Sequence, residues 1–145
     1  MSPIAFAHGK NTVFSVDSAD GTLRDLSQYC DTVSGLPGGR DLSEVTAFGD
    51  EGVKNIPGLK NVSFSVSGHW DPTATTGPDA VLSGLLDATA TSSFEYGPGG
   101  SGTGAIKYSG EAWCSSYTTD SSVSDKVSFS AEFQVDGVPT RSTYT

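Results

Sequence analysis

Two histidines, two cysteines and seventeen carboxylates are the side chains of this 145-residue chain best suited to chemistry. Metal-assisted or nucleophilic catalysis needs several such groups at short spacings or converging in space. His8 and His69 stand far apart, and no Cys or His stands at a metal-ligand spacing. Serine is abundant, so a Ser–His–Asp convergence is a question for the fold. The carboxylates, among them Asp17, Asp20, Asp25, Asp31, Asp41, Glu44, Asp50 and Glu51, are scattered through turn-rich stretches. They read as solvated charge and not as an acid/base pair. Gly97-x-Gly99-x-x-Gly102 has the spacing of a dinucleotide loop, but a strand pattern follows where a helix should open. It reads as a hairpin turn. No catalytic, cofactor-binding or metal residue is predicted, and so no enzyme.

The charge balance narrows the partners. Eight basic against seventeen acidic residues give a formal net charge of −9. Gripping a phosphate backbone needs clustered Lys and Arg. None exists, which excludes a tight DNA binder but not a surface along which DNA slides. The start, MSPIAFAHGK, lacks the basic head and long apolar run of a secretion signal. No apolar run approaches the roughly 20 residues of a membrane helix. The expectation is a soluble chain made in the cytosol, with Cys30 and Cys114 as free thiols.

An apolar content of 35% and 18 glycines predict a turn-rich β protein, most simply one domain over 1–145. Two segments alternate strictly: NVSFSVSGHWD (61–71) and KVSFSAEFQVD (126–136). Each puts Val and Phe on one parity and polar residues on the other (Asn61, serines, His69 and Asp71 in the first; Lys126, serines, Glu132, Gln134 and Asp136 in the second), as a strand with one buried and one wet face does. At about 3.3 Å per residue such strands run about 36 Å. Shorter strands are expected at 11–16, 92–96 and 105–117, and strand pairing over 23–33. In 105–117, Trp113 and Tyr117 share the polar parity. Pro78, Asp79 and the stripe Val81, Leu82, Leu85, Leu86 predict one helix over 78–88, lying on a sheet. Residues 1–10 read as an arm and 138–145 as an extended tail. Between them, 34–58 holds six glycines and two prolines and reads as a long loop with a short strand at 45–48.

The order of these parts resembles the tail tube protein, or major tail protein, of long non-contractile-tailed bacteriophages. The resemblance rests on DLSQYCDTVSG (25–35), EGVKNIPGLKNVSFSVSGHW (51–70), GPDAVLSGLLD (77–87) and above all YSGEAWCSSYTTDSSVSDKVSFSAEFQVDG (108–137). It spans nearly the whole chain. It implies a mainly β fold of two packed antiparallel sheets, a tail-tube-like sandwich or barrel with one flanking helix. It implies rings of six copies stacked into a hollow tube in the virion tail, made in the host cytoplasm. The implied partners are further copies of the chain, a tape-measure protein, and tail terminator and distal tail proteins. DNA would pass through the bore without specific binding, and no cofactor is implied. The family's long loop is mobile in the monomer and orders against neighbours.

Two sets of residues become candidates for assembly. Arg40, Asp41, Glu44, Phe48, Asp50 and Lys54 combine both charge signs with one large aromatic in the loop, a mix that suits an inter-subunit contact. Ser63, Ser65, Ser67, Ser128, Ser130, Glu132 and Gln134 form the wet rows of the two long strands and are candidates for the lumen. Outer solvent or a sister sheet is the competing placement for these rows. Competing functions are another tube or ring component (a terminator, a baseplate subunit, a type VI-like tube) or a carbohydrate- or receptor-binding β-sandwich. The last would use Trp70, Trp113 and Tyr117 as an aromatic platform.

Overall fold

The computed structural model describes residues 6–145, so the first five residues of the expected arm lie outside the described residues. The alternating segments become strands β1 (Val13–Asp17), β2 (Leu23–Asp25), β3 (Cys30–Ser34), β4 (Leu42–Glu44), β5 (Asn55–Pro57), β6 (Ser63–His69), β7 (Ser92–Gly97), β8 (Ile106–Ser122) and β9 (Asp125–Thr143). The single predicted helix is α1 (Pro78–Leu86). Seven strands make one antiparallel sheet in the order β2-β1-β7-β8-β9-β6-β3, and β4 and β5 pair apart from it.

The sheet curls until its two halves pack face to face. Phe14 on β1 and Phe64 on β6 are four strands apart in the order, yet their ring centroids lie 5.9 Å apart. In a flat sheet four steps of about 4.8 Å would separate them by about 19 Å. The bend sits in β8 and β9. Ser109 pairs with Thr140 and Glu111 with Asp136, so Gly110 alone faces Gly137, Val138 and Pro139. Extra residues on one strand bend and twist a ladder. Gly137 takes φ +93°, a conformation that glycine adopts at little cost. The expected two-layer β architecture is thus built from one continuous sheet, with β8 and β9 serving both layers.

The inward parity of each strand fills the space between the layers. Phe64 stacks on its cross-strand partner Phe133 at 4.9 Å, and Phe94 lies 4.9 Å from Phe64. Phe14, Phe64, Phe94 and Phe133 are all buried. Burying each such ring is worth about 1.5–3 kcal/mol. Helix α1 closes the remaining opening with Val81, Leu82 and Leu85. Pro78 in its first turn and Asp79 at its positive end favour the start.

Four expectations change. Residues 138–143 are no free tail: they complete β9 and pair with Ile106–Ser109. The stretch 23–33 splits into two strands, because Cys30 N–H reaches Leu26 O and closes a turn between them. The strand expected over 61–71 is limited to Ser63–His69, and the one expected over 126–136 extends through 125–143. The loop at 34–58 contains a hairpin whose first strand is Leu42–Glu44; residues 45–48 lead into its turn, where Gly49 has φ +89°.

Candidate assembly surfaces

The ladder between β6 and β9 joins the two serine rows. Ser63 pairs with Gln134, Ser65 with Glu132, Ser67 with Ser130 and His69 with Ser128. All seven residues singled out for a lumen therefore share one face, opposite the phenylalanine core. The face widens on both sides. On β3, Ser34 and Thr32 pair with Ser65 and Ser67, and the hydroxyls of Ser34 and Ser65 lie 3.0 Å apart. On β8, Trp113, Ser116, Thr118 and Asp120 pair with Gln134, Glu132, Ser130 and Ser128. These paired positions carry hydroxyls, the carboxylates of Glu132 and Asp120, the Gln134 amide, the His69 imidazole and one tryptophan, and no Lys or Arg. Sequence reading missed the β8 members because a bulge between Cys114 and Ser116 shifts the parity.

That same bulge takes apart the aromatic platform. Tyr117 pairs with the buried Ala131 and so turns to the core side, against Phe129. Its hydroxyl donates to Asp79 Oδ1 at 2.9 Å, and Trp70 Nε1 donates to the same oxygen at 3.3 Å. Burial, then the Asp79 acceptor, pushes the Tyr117 phenol upward. Trp113 stays on the opposite face, 39% exposed. The three aromatics do not share a surface, and two of them are tied up holding α1.

The second surface is the hairpin. Its root closes through Gly58 N–H to Asp41 O (2.7 Å) and Asp41 N–H to Leu59 O (3.2 Å). Gly35 and Gly38, both with positive φ, press against the start of β6. A Cβ on Gly35 would lie 2.6 Å from Ser63 O, and one on Gly38 2.5 Å from a Val62 methyl. Beyond the root, the described hydrogen bonds of residues 41–59 stay within the hairpin. Every residue of β4 and β5 is exposed. Leu42, Val45, Val53, Ile56 and Leu59 are bare, and Phe48 at the turn is fully exposed.

The six loop candidates spread along this hairpin without converging on one spot. Arg40 and Asp41 sit at the root, Glu44 ends β4, Phe48 caps the turn, and Asp50 and Lys54 lie on the returning arm. Lys54 Nζ pairs with Asp50 Oδ1 at 2.9 Å. A chain that leaves five aliphatics and a phenylalanine in water carries an unsatisfied hydrophobic surface.

The residues suited to chemistry stay apart. Cys30 and Cys114 are free thiols. Burial, with Asp31 and Asp25 nearby, pushes Cys30 up to about 12, far from a reactive thiolate. His69 is exposed at the end of β6, and His8 Nδ1 accepts from Lys10 N–H. Among the described residues no group of three His, Cys, Asp or Glu is arranged to hold a metal, and no helix is long and apolar enough to cross a membrane.

No protein-family model and no curated protein sequence matches the chain. Solved structures do. A protein from the tail of an empty gene transfer agent particle, refined with C6 symmetry, superposes with TM-score 0.74 at 15% identity, over 95% of this chain and 100% of that one. The SPP1 tail tube protein gives 0.70 at 14% identity, over 94% and 80%. The tube-terminating cap of the anti-feeding prophage gives 0.71 at 12% identity, over 99% and 95%. The chain shares the fold of these tail and tube proteins over 94–99% of its length.

Proposed function

We propose that this chain is a virion structural protein whose copies close into rings and stack into the hollow tube of a phage-type tail. The observation that carries the reading is the end-to-end likeness to the gene transfer agent tail protein, which covers all of that chain. The surfaces support it. Strands β2 and β3 end the sheet with unpaired backbone, and exposed edges are a template for pairing with another chain. Ring closure satisfies them. The bare hairpin gives the apolar contact between copies, with Arg40, Asp41, Glu44, Phe48, Asp50 and Lys54 at or beside it. Among the paired positions on the Ser63–Gln134 face, the absence of Lys and Arg gives a bore that DNA crosses without counterion-releasing contacts. A tape-measure protein occupies that bore before the DNA, and a terminator ring caps it. The reading includes no catalytic step.

Electron microscopy of the purified protein over a concentration series tests this. Hollow tubes or six-membered rings are expected. A species that remains monomeric to millimolar concentration, with preformed tail ends added as seeds, contradicts it. A second reading, the terminator ring itself, is favoured by the likeness to the anti-feeding prophage cap; single rings that never elongate would select it.

A further inference from the structure

The tip of the hairpin is internally braced although its residues are mostly exposed. Asp50 Oδ2 accepts from Ala47 N–H at 2.7 Å, and Asp50 N–H returns to Ala47 O at 3.2 Å. Asp50 Oδ1 holds Lys54 at 2.9 Å. Lys54 N–H donates to Thr46 Oγ1 at 2.9 Å, and that hydroxyl donates to Glu44 Oε1 at 3.2 Å. Lys54 O accepts Val45 N–H at 2.8 Å. The Asp50 side chain is 15% exposed in a segment that is otherwise bare. All of this closes around one turn, whose outermost side chain is the fully exposed Phe48.

We infer that Asp50 is a positioning residue for assembly: its carboxylate fixes the Ala47–Asp50 turn in the free subunit, so that Phe48 is presented as a preformed knob to a second copy of this chain. This inference rests on the tube reading and sharpens it, because the resemblance leads one to expect a loop that is mobile until it docks. Ordering a segment before binding removes that cost from the association step. One partner copy is the fitting occupant, since a ring-and-stack polymer offers the same receiving surface at every step, and a single apolar knob needs only one.

The test compares Phe48→Ala, Asp50→Ala, Asp50→Asn and Glu51→Ala with the unaltered chain. Sedimentation gives the threshold concentration for assembly, and amide 15N relaxation of residues 45–51 gives order in the monomer. The unaltered tip is expected to show order parameters near those of a rigid backbone, about 0.85. Phe48→Ala should raise the threshold at least about tenfold, as loss of an aromatic anchor does. Asp50→Ala should lower order at the tip and raise the threshold about three- to tenfold. Asp50→Asn retains one oxygen for Ala47 N–H and should fall between. Glu51→Ala removes the same charge outside the network and should assemble as the unaltered chain does. Circular dichroism melts should coincide for all five.

If Asp50→Ala assembles at the original threshold while Phe48→Ala does not, the positioning role is overturned and the hairpin contact stands. An unaltered tip as mobile as that of Asp50→Ala overturns it too. If Phe48→Ala also assembles normally, the hairpin contact itself fails.

Discussion

The phenylalanine core and the hairpin use the same kinds of side chain to opposite ends. Phe14, Phe64, Phe94 and Phe133 interlock between the two halves of the curled sheet and are shielded from water. Phe48, with Leu42, Val53 and Ile56, stands in water along a hairpin whose two short strands pair only with each other. The first region accounts for why the chain folds. The second lies outside that core: every residue of its two strands is exposed. Hydrophobicity buried within one copy stabilises the monomer; hydrophobicity left bare on an ordered arm stabilises contact between copies.

The sharpest way to break this contrast is to truncate one phenylalanine from each region. Phe133→Ala removes a ring stacked at 4.9 Å on Phe64 and should cost about 3–5 kcal/mol in urea unfolding of the monomer. Phe48→Ala should leave that unfolding curve within about 0.5 kcal/mol, as surface substitutions do, and raise the assembly threshold at least about tenfold. Equal losses of monomer stability would erase the distinction. Removing residues 40–52 should go further and leave a folded monomer that does not polymerise.

A glycine substitution tests the edge of the core region. A Cβ on Gly68 would lie 2.0 Å from Tyr29 O, so Gly68→Ala must push β3 off β6. A loss of about 1–3 kcal/mol is expected, with amide exchange faster in Cys30–Ser34 than in β8. Uniform exchange across the sheet would place β3 outside the edge role.

Charge on the polar face gives a subtler contrast. Ser65→Lys and Glu132→Lys lie on cross-strand partners and should leave monomer stability and tube formation intact. Each added phosphate contact strengthens DNA affinity, so genome ejection from tails carrying them should slow. Unchanged ejection kinetics would place that face away from the bore.

The smallest effect is in acid. Ala47 N–H, then Lys54, holds the Asp50 carboxyl below the ordinary carboxylate range. A depressed value contributes stability above the unfolded pKa of about 3.9 and loses it as pH falls through the folded value. With Lys54 facing it directly and Glu44 through Thr46, tip order should survive at pH 5 and fade below about pH 4. Amide shifts of Thr46–Asp50 would follow it.

Much of this was legible in the residues. Strict alternation at 61–71 and 126–136 marked the two strands and the polar row of each, because a period of two leaves little choice of face; that β6 and β9 pair and merge the rows appears only in the fold. The 78–88 stripe gave α1. Parity failed where the backbone departs from it: the bulge at Ser115 sends Tyr117 to the core side while Trp113 stays out, and a bulge has no reliable mark in composition. The hairpin inside 34–58 was missed because β4 and β5 are three residues each. Strands that short leave no period to count. The residues that matter at its tip, Asp50 and Phe48, stood out by type, but the network joining Asp50 to Ala47 depends on backbone groups that every residue carries.

A cryo-EM reconstruction of the assembled protein is the most direct test. A hollow six-fold tube is expected, with Ser65, Ser130 and Glu132 turned to the bore and Phe48 buried against a neighbouring copy. A tube with Phe48 in outer solvent and the serine face on the outside would contradict it.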